Sequence, residues 1–190
     1  MGRILQNLVF EDTCLTGLKT VERKMRSDTR GFLSRLFCAE ELLYAGWRKP
    51  IAQVNHVRTK KKGAIRGMHF QFPPHAEMKL VTCVKGAVVD VAVDLRAGSP
   101  TFLKWYMEKL SAVNGRALLI PEGFAHGYQT IDVECELVYL HSAGYEPAAE
   151  GGVNPFDPTL SISWPLQISE ISERDRNHTM IDESFKGIQL

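Results

Sequence analysis

Residues Lys60–Arg96 read KKKGAIRGMHFQFPPHAEMKLVTCVKGAVVDVAVDLR, and this stretch decides the fold. It closes with two valine-rich apolar runs, Leu80–Val84 and Ala87–Leu95, which Lys85 and Gly86 separate. Short apolar runs between glycine and proline residues are typical of buried strands. This stretch also holds several polar side chains, and we expect an antiparallel barrel or sandwich to build a pocket there. These side chains are Arg66, His69, Gln71, His75, Glu77 and Lys79.

The composition of the whole chain excludes several classes of protein. The chain has 190 residues, 44% of them hydrophobic and 24% charged, which is enough for one domain with its own core. A net charge of +1 gives no bulk attraction to nucleic acid or to an anionic membrane. No apolar run approaches the roughly 20 residues that a membrane helix needs. We expect a single domain over residues 1–190 and a cytoplasmic location, because acidic residues follow the N-terminus too early for a secretory signal.

The four cysteines, Cys14, Cys38, Cys83 and Cys135, form no C-x-x-C pair. Two of them, Cys83 and Cys135, lie inside strand-like runs, where a buried free thiol is the usual state. We expect neither a disulfide bond nor a zinc site from the cysteines.

The rest of the chain predicts about ten short strands and one or two helices. Glu40–Trp47 is the best short helix, since it begins with two acidic residues and has a glycine near its end. Asn114-Gly115 predicts a hairpin between strands at 102–110 and 117–120. Residues 144–164 are rich in glycine, proline and aspartate and predict a loop, and the polar tail at 168–182 predicts a brief helix. This pattern favours an all-β sandwich or barrel.

Two spacings carry more information than the composition does. Gly63 precedes His69 by six positions, and the run from Gly115 through Pro121 and Gly123 ends at His126. This resembles the paired signatures of the cupin superfamily, which implies a jelly-roll β-barrel with a few short helices. Metal-binding cupins place a second histidine and a glutamate where this chain has Gln71 and Lys79. Because an ammonium group has no lone pair for a metal, we expect no metal in this pocket.

The motifs RGMHFQFPPHAEMKLV, VDVAVDLRAGSPTF, LLIPEGFAHGY and SERDRN resemble the dTDP-4-dehydrorhamnose 3,5-epimerase family over most of the chain. The resemblance implies an isomerase that acts on a nucleotide-linked 4-keto-6-deoxyhexose. In such a sugar the C4 ketone acidifies the protons on C3 and C5. A base removes a proton, an enolate forms, and an acid returns a proton to the opposite face. The ketone serves as the electron sink, so we expect no cofactor.

The resemblance also assigns roles to four residues as the catalytic set. His69 matches the base, and Asp175 matches the carboxylate that fixes the tautomer of that histidine. Tyr139 matches the proton donor, because a phenol with an ordinary pKa of about 10 is protonated at neutral pH. Lys79 matches the lysine beside the developing oxyanion.

Further positions match residues that bind the substrate. Arginine suits the diphosphate because its planar guanidinium can contact two oxygens at once. The resemblance also implies a homodimer whose N-terminal strands are shared across the interface, which would cover sheet edges. The expected substrate-binding residues are Arg30, Arg35, Gln53, Asn55, Arg66, Gln71, His126, Tyr145 and Glu150.

The sequence departs from the family pattern where the nucleotide and sugar are recognised. A glutamate that helps to recognise the nucleotide is Arg35 here, and residues 154–157 also differ from the expected segment. These departures leave open an enzyme that epimerises only C3 or only C5, or one that acts on a CDP- or GDP-linked sugar. A cupin that binds a nucleotide sugar without catalysis is the alternative from another class. The acid–base set of His69, Tyr139 and Asp175 favours an enzyme, since a binding protein has no need of it.

Overall fold

The computed structural model describes residues 7–190. Residues 1–6 belong to the N-terminal region that we expect to be shared across a homodimer, and they lie outside the described part. Thirteen strands and two short α-helices occur within residues 7–190. In chain order they are β1 (Leu8–Asp12), β2 (Lys19–Arg23), β3 (Met25–Asp28), β4 (Gly31–Ser34), α1 (Ala39–Tyr44), β5 (Gln53–Thr59), β6 (Ile65–Gln71), β7 (Lys79–Lys85), β8 (Ala87–Asp94), β9 (Trp105–Ser111), β10 (Arg116–Ile120), β11 (Phe124–Thr130), β12 (Cys135–His141), β13 (Glu150–Gly152) and α2 (Glu173–Arg176).

The strands form two large antiparallel sheets and one hairpin. The six-stranded sheet has the order β1-β2-β10-β7-β12-β5, and the five-stranded sheet has the order β13-β6-β11-β8-β9. Strands β3 and β4 pair only with each other among the described residues. Because consecutive strands alternate between the sheets at several points, the topology is a jelly roll, and the predicted cupin-like fold is confirmed.

A core between the two sheets holds them together. Val81 and Leu137 of the six-stranded sheet pack with Val88, Ala92 and Phe124 of the five-stranded sheet, and all five are buried. Burying such a side chain stabilises a fold by roughly 1.5–3 kcal/mol. Cys83 and Cys135 lie in the same cluster as free thiols, as predicted.

The outer faces of both sheets are covered as well. Val91 and Val93 of β8 pack against the C-terminal segment through Leu160 and Ile188. On the other side, α1 packs Leu42 onto the six-stranded sheet. Every residue of β8 is buried, which explains why its sequence is apolar on both faces apart from Asp90 and Asp94.

Two predictions about connections were wrong. Asn114-Gly115 does not close a hairpin, because β9 pairs with β8 and β10 pairs with β2 and β7 in the other sheet. The segment at 144–164 is not all loop, since β13 pairs there with β6. The predicted helix at Glu40–Trp47 is present as α1, and the predicted brief helix in the tail is present as α2. Within residues 7–190 no helix is long and apolar enough to cross a membrane.

Candidate active site

Strands from both sheets direct polar side chains into one cavity with two lobes. Cross-strand pairing places His126 of β11 directly opposite His69 of β6. The larger lobe has a volume of about 610 Å³ and the smaller about 360 Å³. Four side chains line both lobes and mark their junction: His69, His126, Tyr139 and Arg174.

His69 forms a hydrogen-bonded pair with Asp175. Nε2 of His69 lies 2.8 Å from Oδ1 of Asp175, and Oδ2 of Asp175 accepts a hydrogen bond from the backbone N–H of Gly67 at 3.1 Å. Ser172 caps helix α2 through the backbone N–H of Asp175, which fixes that carboxylate beneath the strand. Burial by itself would raise the pKa of Asp175. The hydrogen bond and the charge of His69 outweigh that effect, and the pKa is lowered to about 2.

The charged carboxylate determines which nitrogen of His69 can act as a base. An ionised carboxylate only accepts hydrogen bonds, so it holds the proton of the neutral imidazole on Nε2. Nδ1 then keeps its lone pair. His69 is 27% exposed at its side chain and lines the cavity, whereas Asp175 is buried behind it.

Tyr139 comes from the opposite sheet and lines the same junction. Its ring meets the ring of His126 edge to face, with centroids 5.6 Å apart. Burial, reinforced by Tyr128 and by the charge of Asp90, raises the pKa of Tyr139 well above its ordinary value. The phenol therefore stays protonated at neutral pH and can donate a proton.

A second histidine–carboxylate pair lies behind the junction. Nε2 of His126 is 2.9 Å from Oδ2 of Asp90, and both side chains are buried. Burial raises the pKa of Asp90 against the opposing effect of His126. The sequence analysis identified His126 but missed Asp90. A signal was present, since Asp90 interrupts an apolar run and a buried carboxylate needs a partner.

Lys79 supplies a buried positive charge in the smaller lobe. Its Nζ lies 3.0 Å from Oε1 of Glu77 and donates to the backbone oxygen of His69 at 3.1 Å. Both side chains of this ion pair are less than 10% exposed. An ammonium group has three hydrogens, so two protein acceptors leave one for a ligand in the lobe.

The rim of the smaller lobe is a chain of hydrogen bonds. Oε1 of Gln53 accepts from the backbone N–H of Tyr145 at 2.9 Å, and Nε2 of Gln53 donates to Asn55 at 3.0 Å. The hydroxyl of Tyr145 donates to Glu150 at 2.8 Å, and Arg174 forms an ion pair with Glu150 at 3.1 Å. Sequence reasoning missed Arg174, although it directly precedes Asp175 in the same motif.

Two further predicted binding residues lie within the cavity wall. Arg66 lines the larger lobe, and its Nε donates to Thr59 at 3.0 Å. Gln71 is buried, and its amide is bonded to protein: the nitrogen contacts Glu77 at 3.0 Å, and the oxygen accepts from the N–H of Glu146 at 2.7 Å. Gln71 therefore fixes the loop that carries Tyr145.

The structure does not bring Arg30 and Arg35 into this cavity. Arg30 lies in the β3–β4 turn with an 87% exposed side chain, and it pairs with Asp28 at 2.6 Å. Arg35 pairs with the buried Glu41 at 2.6 Å and lines a separate concave surface beside α1. Neither residue lines the lobes around His69 in the single chain.

Comparison with known proteins gives a consistent result. The sequence profile described as dTDP-4-dehydrorhamnose 3,5-epimerase matches residues 12–183. A dTDP-4-dehydrorhamnose 3,5-epimerase of Shigella flexneri is 44% identical over 82% of this chain and 86% of its own. A dTDP-4-dehydro-6-deoxyglucose 3-epimerase of Streptomyces bikiniensis is 39% identical over 86% of this chain and 84% of its own.

Among solved structures, a dTDP-6-deoxy-D-glucose-3,5-epimerase from Legionella pneumophila Philadelphia 1 superimposes with a TM-score of 0.89 at 34% identity. The superposition covers 95% of this chain and 98% of the Legionella chain, whose crystal holds dTDP-4-keto-L-rhamnose. The likeness therefore extends over the sheets that build the cavity.

Proposed function

The chain belongs to the dTDP-4-dehydrorhamnose 3,5-epimerase family, and we propose that the two-lobed cavity around His69 is its active site. The protein is an isomerase that epimerises a nucleotide-linked 4-keto-6-deoxyhexose. The observation that carries the site proposal is the pair of His69 and Asp175 facing Tyr139 across one cavity. This arrangement provides a base and an acid that come from opposite sheets.

In the proposed reaction, Nδ1 of His69 removes the proton from C3 or C5 of the sugar. The imidazole becomes a cation, and Asp175 stabilises it because the carboxylate stays charged at neutral pH. The electron pair left on carbon moves into the C4 ketone and forms an enolate. Tyr139 then donates a proton to the opposite face of the same carbon, which inverts its configuration.

We propose that Lys79 stabilises the enolate oxygen. Its ammonium group is buried and already oriented by Glu77 and the backbone oxygen of His69. A fixed positive charge in a site of low dielectric stabilises a developing negative charge more than the same charge would in water. Glu77 compensates the buried charge of the lysine, since an unpaired charge in the interior is costly.

The nucleotide and the diphosphate need further contacts. We propose that Arg66 and Arg174 contact the diphosphate and sugar, with His126, Gln53, Asn55 and Glu150 at the sugar end and Tyr145 stacking on the nucleotide base. Tyr145 is exposed at the rim of the smaller lobe, where a planar ring can stack. Gln71 contributes by holding the loop that carries Tyr145.

We propose that Arg30 and Arg35 act across a homodimer, because neither reaches the cavity of its own chain. The hairpin that carries Arg30 also exposes Phe32 and Leu33, at 62% and 74%. Apolar side chains this exposed on a short two-stranded ribbon favour burial against another protein surface. A second copy that received the hairpin would also receive Arg30 beside its own cavity.

We propose one domain over residues 1–190 and a cytoplasmic location. The C-terminal segment packs on the sheet that carries His69, so it belongs to the same folding unit. All four cysteines are free thiols, which suits a reducing compartment.

The experiment is product formation from dTDP-4-dehydro-6-deoxy-D-glucose, followed by proton NMR. We expect wild type to form an epimerised product and His69→Gln to form at least about 10³-fold less, since general-base catalysis is worth 10²–10⁴-fold. His75→Gln is the matched control, because His75 lies outside both lobes. Retained binding of dTDP by His69→Gln would show that the substitution spares the fold, and full activity of that variant would refute the proposed base.

The same spectra distinguish one epimerisation from two. A relative from Streptomyces bikiniensis named as a 3-epimerase aligns with 86% of this chain, so inversion at C3 alone is the second candidate function. A product inverted at both carbons supports the 3,5-epimerase, and a product inverted only at C3 supports the monoepimerase.

A further inference from the structure

A third group, His178, lies beside the pair of His69 and Asp175 and has no role in the proposed reaction. Its Nε2 is 3.8 Å from Oδ1 of Asp175, and its ring meets the ring of His69 at a centroid distance of 5.5 Å. That nitrogen is inaccessible to solvent and has no hydrogen-bond partner among residues 7–190. A buried nitrogen without a partner is costly, so its position calls for an explanation.

The local backbone leaves room for the His178 ring. Gly152 of β13 pairs opposite His69, and a Cβ added to Gly152 would lie 2.3 Å from the ring of His178. The ring therefore packs directly against bare backbone, next to the strand that carries the base. The backbone oxygen of His178 also accepts a hydrogen bond from Asn154 at 3.3 Å, which holds the residue in place.

We propose that His69, Asp175 and His178 form a binding site for a transition-metal ion of the zinc class, and that the bound ion inhibits the enzyme. One ligand atom from each residue lies within 4.8 Å of the other two. Ligand atoms of a tetrahedral zinc site lie about 3.3 Å apart, given bonds of about 2.0–2.1 Å. The distances of 2.8 Å and 3.8 Å from Oδ1 of Asp175 to the two imidazole nitrogens bracket that separation.

The chemistry of the three groups suits zinc. Two imidazoles and one carboxylate are a known type of ligand set for this ion, with the fourth position left to water. The site shares His69 with the metal position of cupins, but its other two ligands are Asp175 and His178 rather than the residues at positions 71 and 79.

Arg174 is the group that opposes a cation here. Its Nη2 lies 3.4 Å from Nε2 of His69, and its Nε lies 3.6 Å from Oδ1 of Asp175. The side chain is 56% exposed and is also paired with Glu150 at 3.1 Å. Removing the positive charge of Arg174 should therefore strengthen metal binding.

Metal binding would inhibit by changing the tautomer of His69. The ion takes the lone pair of Nε2, and the proton that Nε2 carried moves through solvent to Nδ1, since a neutral imidazole carries one proton. Nδ1 then has no lone pair to accept the sugar proton. This inhibition rests on the proposed role of His69, whereas binding of the ion does not.

Binding is tested with Co²⁺ added to the chelator-treated full chain, by the visible absorption of the bound ion, and with Zn²⁺ by calorimetry. We expect His178→Gln to weaken binding at least about tenfold, since even residues that only support metal ligands contribute 10–100-fold. His56→Gln is the matched control, because His56 lies on the exposed edge strand β5. Arg174→Gln should bind more tightly than wild type. Equal affinity in wild type and His178→Gln, or weaker binding by Arg174→Gln, would overturn the site.

Inhibition is tested by the epimerisation rate with and without Zn²⁺, each variant being compared with its own metal-free rate. Wild type should lose activity at zinc concentrations that leave His178→Gln active. If Co²⁺ binds as expected while zinc leaves the wild-type rate unchanged, the inhibition and the role of His69 as base both fail, and the metal site stands. If the binding arm fails while His69→Gln is inactive, the proposed function stands without the metal site.

Discussion

Asp175→Asn tests both the chemistry and the stability of the proposed catalytic pair. The substitution keeps the size of the side chain but replaces the charged acceptor with an amide. An amide can donate to Nε2 of His69, which would move the imidazole proton to Nδ1 and remove the lone pair of the base. We expect the epimerisation rate to fall by about 10³–10⁴-fold, the loss seen when a tautomer-fixing aspartate is replaced in this way.

The lowered pKa of Asp175 also gives the size of its contribution to the free energy of unfolding. Burial alone would raise the pKa of Asp175, but the hydrogen bond and charge of His69 lower it from an ordinary 3.8 to about 2. At about 1.36 kcal/mol for each pKa unit, the charged form stabilises the fold by about 2–3 kcal/mol. A carboxyl group whose pKa is lowered by folding stabilises the fold at pH values above its ordinary pKa. That stabilisation is lost as the pH falls toward about 2.

The assay is denaturant unfolding of wild type and Asp175→Asn at about pH 7, 4 and 2.5, together with the rate at about pH 7. The difference in unfolding free energy should be about 2–3 kcal/mol at neutral pH and should shrink between about pH 4 and pH 2.5. Glu173→Gln is the control, since it removes an exposed acid from the same helix. A stability difference that does not change with pH, or a rate within about tenfold of wild type, would refute the reasoning.

Three further predictions concern the acid, the buried lysine and the dimer. Tyr139→Phe should lower epimerised product about 10²–10⁴-fold in the NMR assay while the variant still binds dTDP; a wild-type rate would exclude it as the acid. Lys79→Met should lower the rate about 10²–10³-fold and lower stability by about 3–5 kcal/mol by leaving Glu77 unpaired. Lys79→Met/Glu77→Met should regain that stability in denaturant unfolding without regaining activity. Leu33→Asp should halve the mass measured by light scattering, which a monomeric wild type would contradict.

Much of the fold could be predicted because the sequence signals are local. The apolar run at 87–95 predicted a strand, and β8 lies there at Ala87–Asp94. The Asn114-Gly115 prediction was wrong because a turn signal describes the chain only locally. Strand β9 pairs with the preceding strand β8, whereas β10 pairs with β2 and β7 of the other sheet, and a two-residue turn signal does not carry this choice of partners.

Strand β13 could not be predicted for a related reason. Its sequence, Glu150–Gly152, has no strand propensity, and its pairing is imposed by the free edge of β6.

The candidate site was also predicted only in part. The resemblance to the family identified His69, Lys79 and Tyr139, which the fold brings to one cavity. Asp90 was missed because its role depends on a cross-strand neighbour.

The most direct test of the central claim is the incorporation of deuterium from solvent into the 4-keto sugar. The protein is incubated in deuterated buffer with dTDP-4-dehydro-6-deoxy-D-glucose, and the C3 and C5 protons are followed by NMR. The account predicts exchange at C3, or at both C3 and C5, by wild type, and none above background by His69→Gln. Exchange by His69→Gln at the wild-type rate would contradict the assignment of His69 as the base. No exchange by wild type with this substrate would contradict the proposed reaction.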